Sequence, residues 1–160
     1  MVILVMGTTG AGKTTVGKLI ARRLAWHFLD ADDFHPPANI EKMKQGISLT
    51  DADRDPWLAN IHARLMQLSR EGNNAVLACS ALKQSYRDTL AAGLDFRIVY
   101  LHGTYDHMRR HILARHGHFA GESILAGQFA DLEEPINALR LEVTGTPDEI
   151  ANKAIRELKL

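Results

Sequence analysis

Short solid apolar runs alternate along this chain with stretches whose apolar residues recur every three or four positions. Residues 2–6 are apolar throughout, the pattern of a strand covered on both faces. Residues 13–24 place Val16, Leu19, Ile20 and Leu24 on one side of a helix. Residues 26–29 predict a short second strand, and Pro36 with Pro37 breaks the chain before a short helix over 38–45, stopped by Gly46. Asp55 followed by Pro56 reads as an N-cap and first helical residue. The helix they start runs to about Arg70, with Trp57, Ile61, Leu65 and Leu68 inward. A third buried strand is predicted over 75–79, a helix over 82–90, a fourth strand over 96–101 and a basic helix over 105–115. Residues 116–121, with two glycines, read as a loop, and 123–132 as the helix after it. Residues 139–143 alternate, so a fifth strand there is less enclosed. Thr146, Pro147, Asp148 and Glu149 supply the cap, first residue and first-turn acids of a last helix. Strands alternating with helices predict an α/β fold: a five-stranded, mainly parallel sheet flanked by helices.

Composition narrows what such a fold can do. The chain has 160 residues, which fits one domain spanning 1–160. It is 46% apolar and 24% charged, ordinary for a globular protein. Lys+Arg and Asp+Glu both number 19, which argues against a generic nucleic-acid or polybasic membrane binder. The one cysteine, Cys79, excludes an internal disulfide and a cysteine-rich zinc module. No apolar run approaches the roughly 18–20 residues that span a bilayer, and the start of the chain lacks the basic region of a signal peptide. A cytoplasmic protein is expected.

Gly7-Thr8-Thr9-Gly10-Ala11-Gly12-Lys13-Thr14 matches the pattern GxxxxGK followed by Ser or Thr, between a predicted strand and a predicted helix. Backbone N–H groups of such a loop curl around a phosphate, and the helix dipole that follows favours the same anion. The phosphate-binding set is therefore residues 7–15, from Gly7, Thr8, Thr9, Gly10, Ala11 and Gly12 through Lys13, Thr14 and Thr15. Lys13 would reach the β- and γ-phosphates of ATP, and the Thr14 hydroxyl would ligate Mg²⁺. Chance produces the pattern in about one chain of this length in a few hundred. A GTPase should carry NKxD after a late strand; Asn152-Lys153-Ala154-Ile155 lacks the aspartate and falls in the last helix. The third strand ends Ala78-Cys79-Ser80 without an acid, unlike motor-type ATPases. Small kinases remain.

Asp30-Ala31-Asp32-Asp33 follows the second strand, at the carboxyl edge where parallel sheets bind ligands. Strand alternation would send Asp30 and Asp32 the same way. One can hold a metal-bound water and the other accept a proton from a substrate hydroxyl; the competing explanation is an acidic turn that caps a helix. Arg54 is either a bidentate partner for a substrate carboxylate or an exposed ion pair with its neighbours Asp53 and Asp55. Lys83 and Arg87, four apart, share a helix face that is either a second cationic clamp or simply solvated. His107 and His111 have the helical spacing of a zinc pair, without HExxH or a nearby cysteine, so a solvated helix is the simpler explanation.

From Gly7 to Pro135 these residues fall into one ordered series of segments. Asp30-Ala31-Asp32-Asp33-Phe34-His35-Pro36-Pro37-Ala38-Asn39-Ile40 resembles the DGDDxHPxxN segment of gluconokinases. Residues 42–58, from Lys42-Met43 through Asp53-Arg54-Asp55-Pro56-Trp57-Leu58, resemble their KMxxGxxLxDxDRxPWL. Cys79-Ser80-Ala81-Leu82-Lys83 with Tyr86-Arg87-Asp88 resembles CSALKxxYRD, and Gly117-His118-Phe119 and Gln128-Phe129-Ala130-Asp131-Leu132-Glu133-Glu134-Pro135 resemble the lid and its sequel.

The resemblance implies a P-loop kinase with a lid at about 116–127 that phosphorylates D-gluconate at its 6-hydroxyl with ATP and Mg²⁺, and it suggests a homodimer. It implies Asp32 as base or hydroxyl orienter, Asp30 near the metal, and His35, Arg54, Lys83, Arg87 and Gln128 as substrate contacts. Arg115 would reach the transferred phosphoryl group from the lid. Gluconokinases usually carry an arginine at the position of His111; here Arg110 is adjacent and becomes the candidate for adenine. The lid reads Ala120-Gly121-Glu122-Ser123 without the usual proline, and the P-loop has Thr8-Thr9-Gly10-Ala11 where Val-Ser-Gly-Ser is commoner. The rivals are a kinase of another small hydroxy acid such as shikimate, and a nucleotide-binding regulator.

Overall fold

A computed structural model describes residues 1–116 and 120–160, with the backbone alone at 115–116 and 120–122. Among the described residues five strands form one sheet: β1 (Val2–Met6), β2 (His27–Asp30), β3 (Ala75–Ala78), β4 (Phe96–His102) and β5 (Leu139–Glu142). Their order is β2-β3-β1-β4-β5, and each neighbouring pair is parallel. Around the sheet lie α1 (Lys13–Leu24), α2 (Pro37–Lys44), α3 (Asp51–Arg70), α4 (Gln84–Ala91), α5 (Tyr105–His116), α6 (Ala120–Asp131) and α7 (Pro147–Leu158). A single 3-10 turn, Ala31–Phe34, follows β2.

Strand alternation in β1 builds two cores. Ile3 and Val5 face α1, α5 and α7, meeting Val16, Ile20, Met108, Ile112 and Ala151. Val2, Leu4 and Met6 face α3 and α4, meeting Trp57, Ile61, Leu65, Tyr86 and Leu90. This is why residues 2–6 are apolar throughout. β2 and β5 are the edges; β5 buries only Leu141 fully, as its alternation predicts. β1 leads to α1 on one face of the sheet and β3 leads to α4 on the other. A crevice therefore opens at the carboxyl ends of these two neighbouring strands. Among the described residues no helix is long and apolar enough to cross a membrane.

The long helix starts earlier than Asp55-Pro56 predicts. Thr50 is its cap: the Thr50 hydroxyl accepts the Asp53 N–H at 3.2 Å, and Asp53 Oδ2 accepts the Thr50 N–H at 2.9 Å. This reciprocal box satisfies two orphan donors, which a lone Asp55 would not do. Pro56 then sits inside the helix. Ala52 and Pro56 are both exposed, so the carbonyl left without a donor can take water. β2 begins at His27 rather than residue 26, and α4 at Gln84 rather than residue 82. The predicted loop over 116–121 is corrected at its end, where α6 begins at Ala120; residues 117–119 lie outside the described ones. The Thr146 cap is present, with Glu149 completing the same kind of box.

Thr50→Ala should therefore cost about 1 kcal/mol, while Asp55→Ala stays within about 0.5 kcal/mol. Thermal denaturation would show the first variant about 2–4 °C below the parent and the second almost level with it. The reverse order would return the helix start to Asp55.

Candidate active site

The glycines of the P-loop answer to crowding. Gly7 has φ 152°, and a Cβ there would lie 2.7 Å from the Leu101 carbonyl oxygen. Gly10, at φ 83°, lets α5 close onto the loop: a Cβ would meet the Ile112 side chain at 3.1 Å and the Met108 carbonyl at 3.3 Å. Gly12 is the N-cap of α1 and provides no side-chain cap. The first-turn amides of α1 are thus left for an anion, the arrangement that suits a phosphate. Lys13 Nζ folds back onto the Thr8 carbonyl oxygen at 3.0 Å. Burial pushes its pKa down, and Cys79, Asp32 and Asp30 pull it back up.

Thr14 Oγ1 donates to Asp30 Oδ2 at 2.9 Å, and Asp30 Oδ1 accepts the Asp32 N–H at 3.1 Å. Lys13, Thr14, Asp30, Asp32, Ser80 and Gln128 border one cavity of about 190 Å³. Asp30 and Asp32 do converge, but not by strand alternation, because Asp30 is the last residue of β2 and Asp32 lies in the 3-10 turn. Asp30 caps that turn, the contact that the capping explanation of the acidic run expects. The Trp57 indole N–H donates to the Ala31 carbonyl oxygen at 2.6 Å and pins the turn from below. Burial and the neighbouring Asp30 raise the pKa of Asp32.

The pair Thr14–Asp30 is an all-oxygen donor set beside the phosphate loop. Among the described residues no cluster of three or more His, Cys, Asp or Glu side chains is gathered for a metal. The oxygen donor set fits Mg²⁺, which keeps waters and substrate phosphates among its ligands and needs few from the protein. His107 and His111 lie on α5 with ring centroids 4.4 Å apart.

His35 stacks on Trp57, with ring centroids 4.6 Å apart and planes 8° from parallel. Asn39 Nδ2 lies 3.4 Å from His35 Nδ1 and donates to the Asp53 carbonyl oxygen at 2.8 Å. Burial lowers the pKa of His35, opposed by Asp32 and reinforced by Arg54. His35 thus stands within reach of both charges. Arg54 does not pair with Asp53, whose carboxylate is held by Lys42 at 2.7 Å. It reaches the Tyr86 hydroxyl at 3.3 Å and Asp51 at 3.8 Å. Lys83 Nζ lies 3.0 Å from the same Asp51.

Arg87 is placed elsewhere. It is 2% exposed, and its guanidinium donates to the Ala81 and Leu82 carbonyls, each at 2.9 Å, and to Gln84 Oε1 at 2.8 Å. It braces the turn between β3 and α4, where Ala81 has φ 42°, while Lys83 reaches away to Asp51. The two-cation helix face is therefore corrected: the spacing was right, but the turn before α4 folds over Arg87 and takes its donors. Gln128 on α6 accepts the Thr9 N–H, so it touches the P-loop directly. Arg110 is exposed, and its Nε donates to its own helix at the Asp106 carbonyl, 3.3 Å. It lies one residue, about 100° around the helix, from His111. His111 instead borders a second cavity of about 80 Å³ with Thr15, Val143 and Pro147, and lies 3.4 Å from the Gly10 carbonyl oxygen. The Arg115 side chain lies outside the described residues.

Several site residues escape the sequence. Trp57 was readable only as core, although a buried indole N–H needs an acceptor. Asp51 and Tyr86 carried no signal of their own. Glu133 and Glu134 are stitches: Glu133 accepts the Gln84 N–H at 2.6 Å, and Glu134 takes the Tyr100 hydroxyl and Arg140, each at 3.2 Å. Just after α6, they tie its end, and so Gln128, to α4 and to the sheet. The Cys79 thiol is pushed up to about 12 by burial and is no nucleophile.

A family model described as shikimate kinase matches residues 9–158. The gluconokinase of Gluconobacter oxydans is 42% identical over 161 residues, covering 98% of this chain and 90% of its own. A crystal structure of a gluconokinase from Sinorhizobium meliloti superposes with a TM-score of 0.87 at 42% identity, covering 98% of this chain and 90% of that one. A shikimate kinase from Aquifex aeolicus, at TM-score 0.60 and 15% identity over 99% of this chain and 96% of its own, shares the fold.

Two outcomes test this geometry. The raised pKa of Asp32 means its ionised form is less at ease folded than unfolded. That contribution to stability is present below the unfolded pKa and lost as pH rises through the folded one. Asp32→Asn should therefore melt higher than the parent at pH 7, with the gap narrowing as pH falls toward about 4. Arg87→Met strands two carbonyls and Gln84, and should cost about 2–3 kcal/mol in urea denaturation. Unchanged stability would mean that the brace is dispensable.

Proposed function

The chain belongs to the gluconokinase family, and we propose that it transfers the γ-phosphoryl group of ATP to the 6-hydroxyl of D-gluconate. The convergence of Lys13, Thr14, Asp30 and Asp32 on one cavity at the mouth of β1 and β3 carries this assignment. Near-full-length relatives at about two-fifths identity supply the substrate class, since the names they bear are gluconokinases. The shikimate kinase likeness reaches only the fold.

The transfer is direct and in line, and the protein contributes position and charge. The P-loop amides and Lys13 hold the phosphates. Thr14 and Asp30 would hold Mg²⁺, which supplies neutralisation of phosphate charge when bound. Asp32 accepts the proton of the 6-hydroxyl, and its raised pKa brings it closer to neutrality than an ordinary carboxylate. His35 faces the polyol from its Trp57 platform, and Arg54 receives the carboxylate. The base of the nucleotide rests in the cavity beside Thr15 and His111. The lid, at about 116–127, brings Arg115 to the transferred group and excludes water.

ADP release from MgATP, measured with gluconate, shikimate, D-glucose or no acceptor, tests the assignment. Gluconate alone should stimulate it strongly. Asp32→Asn should lower kcat about 10²–10⁴-fold without unfolding. In the parent the acid limb of the rate profile should lie above the ordinary carboxylate range, because Asp32 must be ionised to act. Stimulation by shikimate but not gluconate would move the substrate within the fold, and none by any acceptor would favour a nucleotide-binding regulator.

A further inference from the structure

Asp51 begins α3, yet the helix does not need it, because Thr50 and Asp53 complete the cap between themselves. Its side chain is 63% exposed and still gathers three donors. The Tyr86 hydroxyl donates to Oδ1, Lys83 Nζ lies 3.0 and 3.1 Å from the two carboxylate oxygens, and Arg54 Nη1 lies 3.8 Å away. Arg54 also donates to the Tyr86 hydroxyl at 3.3 Å, and its guanidinium carbon lies 5.9 Å from the Tyr86 ring centre, with Lys83 Nζ at 5.7 Å. The donors come from α3, α4 and the turn before α4, and they form one receptor around one carboxylate.

Resting on the gluconate assignment, we propose that Arg54, Lys83 and Tyr86 together are the receptor for the substrate carboxylate, and that Asp51 occupies it as an internal stand-in which the substrate displaces. Two cations and a phenol are the chemistry that selects a carboxylate over a neutral hydroxyl. With Asp51 in place the receptor carries one net positive charge, and exchanging one carboxylate for another keeps that balance. Position agrees. His35 feels the charges of both Asp32 and Arg54, and it stacks on Trp57, one helical turn along α3 from Arg54. An extended hydroxy acid with its terminal hydroxyl at Asp32 would run past His35 and present its carboxylate to Arg54. The Tyr86 and Lys83 hydrogen bonds keep Asp51 ionised, with its pKa below the usual value, so it competes throughout the neutral range. Leaving costs Asp51 little burial, since its side chain is already largely in solvent.

Steady-state kinetics of the full chain test this, with gluconate as substrate and D-glucitol, the neutral hexitol of the same length, as competing inhibitor. Asp51→Asn removes the competing charge and should lower KM for gluconate about threefold or more, with kcat and KM for ATP unchanged. Lys83→Met and Tyr86→Phe should each raise KM for gluconate about tenfold with kcat little altered. The inhibition constant of D-glucitol should not move in any of the three, which a general distortion of the pocket could not achieve. Asp51→Ser serves as a second probe if the asparagine variant folds poorly. A KM for gluconate that rises or stays level when Asp51 is neutralised overturns the stand-in, and parallel shifts for gluconate and D-glucitol overturn the receptor. Failure of the parent enzyme to use gluconate at all overturns the assignment beneath it, and the proposal with it.

Discussion

Everything in this molecule hangs on the enclosure of β1. Ile3, Leu4, Val5 and Met6 are shut from solvent on both faces, at the centre of the sheet. A strand held on both sides by two separate cores cannot tilt, so the loop that leaves it has a fixed origin. Gly7 presses under the Leu101 carbonyl and Gly10 against α5, and α1 begins with uncapped amides at Gly12. The loop's packing therefore presents its donors in one geometry, which is what phosphoryl transfer asks of its scaffold.

The acid side of the cavity is held by different means. The 3-10 turn with Asp32 lies beyond β2, an edge strand, and has little sheet around it. Trp57 from α3 holds it through Ala31, Asp30 ties it to Thr14, and His35 lies flat on the same indole. One tryptophan thus links the long helix to the acid turn and to His35. On the opposite rim, Arg87 ties the β3–α4 turn to α4, Glu133 ties the segment after α6 to the start of α4, and Glu134 ties it to the sheet. Segments that look alike in one dimension, as charged and polar runs, divide into groups that face the cavity and groups that hold the first in place. Buried donors must find acceptors, and loop carbonyls near the sheet edge are the ones available.

Where expectation and structure part, competition between local and long-range contacts explains it. Asp55-Pro56 is a good local start for a helix, but Thr50 and Asp53 satisfy two donors at once and win. Lys83 and Arg87 are four apart as a clamp requires, yet the turn that precedes α4 folds over Arg87. Arg110 and His111 differ by one residue, and only the packing of α5 on Gly10 decides which of them meets the second cavity.

What the sequence determined by itself was periodic or tightly spaced. Apolar runs and helical repeats dictate five strands and their helices, since burial of one face is a local pattern. The P-loop is legible because its glycines and lysine serve a backbone conformation confined to eight residues, Gly7 to Thr14. The gluconokinase segments named the substrate class for the same reason, as short ordered motifs. Only the tertiary structure decided the partners. Asp51 meets Lys83 and Tyr86 across 32 and 35 residues, Trp57 meets Ala31 across 26, and Gln128 meets Thr9 across 119. Such contacts leave no spacing to read, because a hydrogen bond depends on where the fold brings two atoms and not on how far apart they lie along the chain.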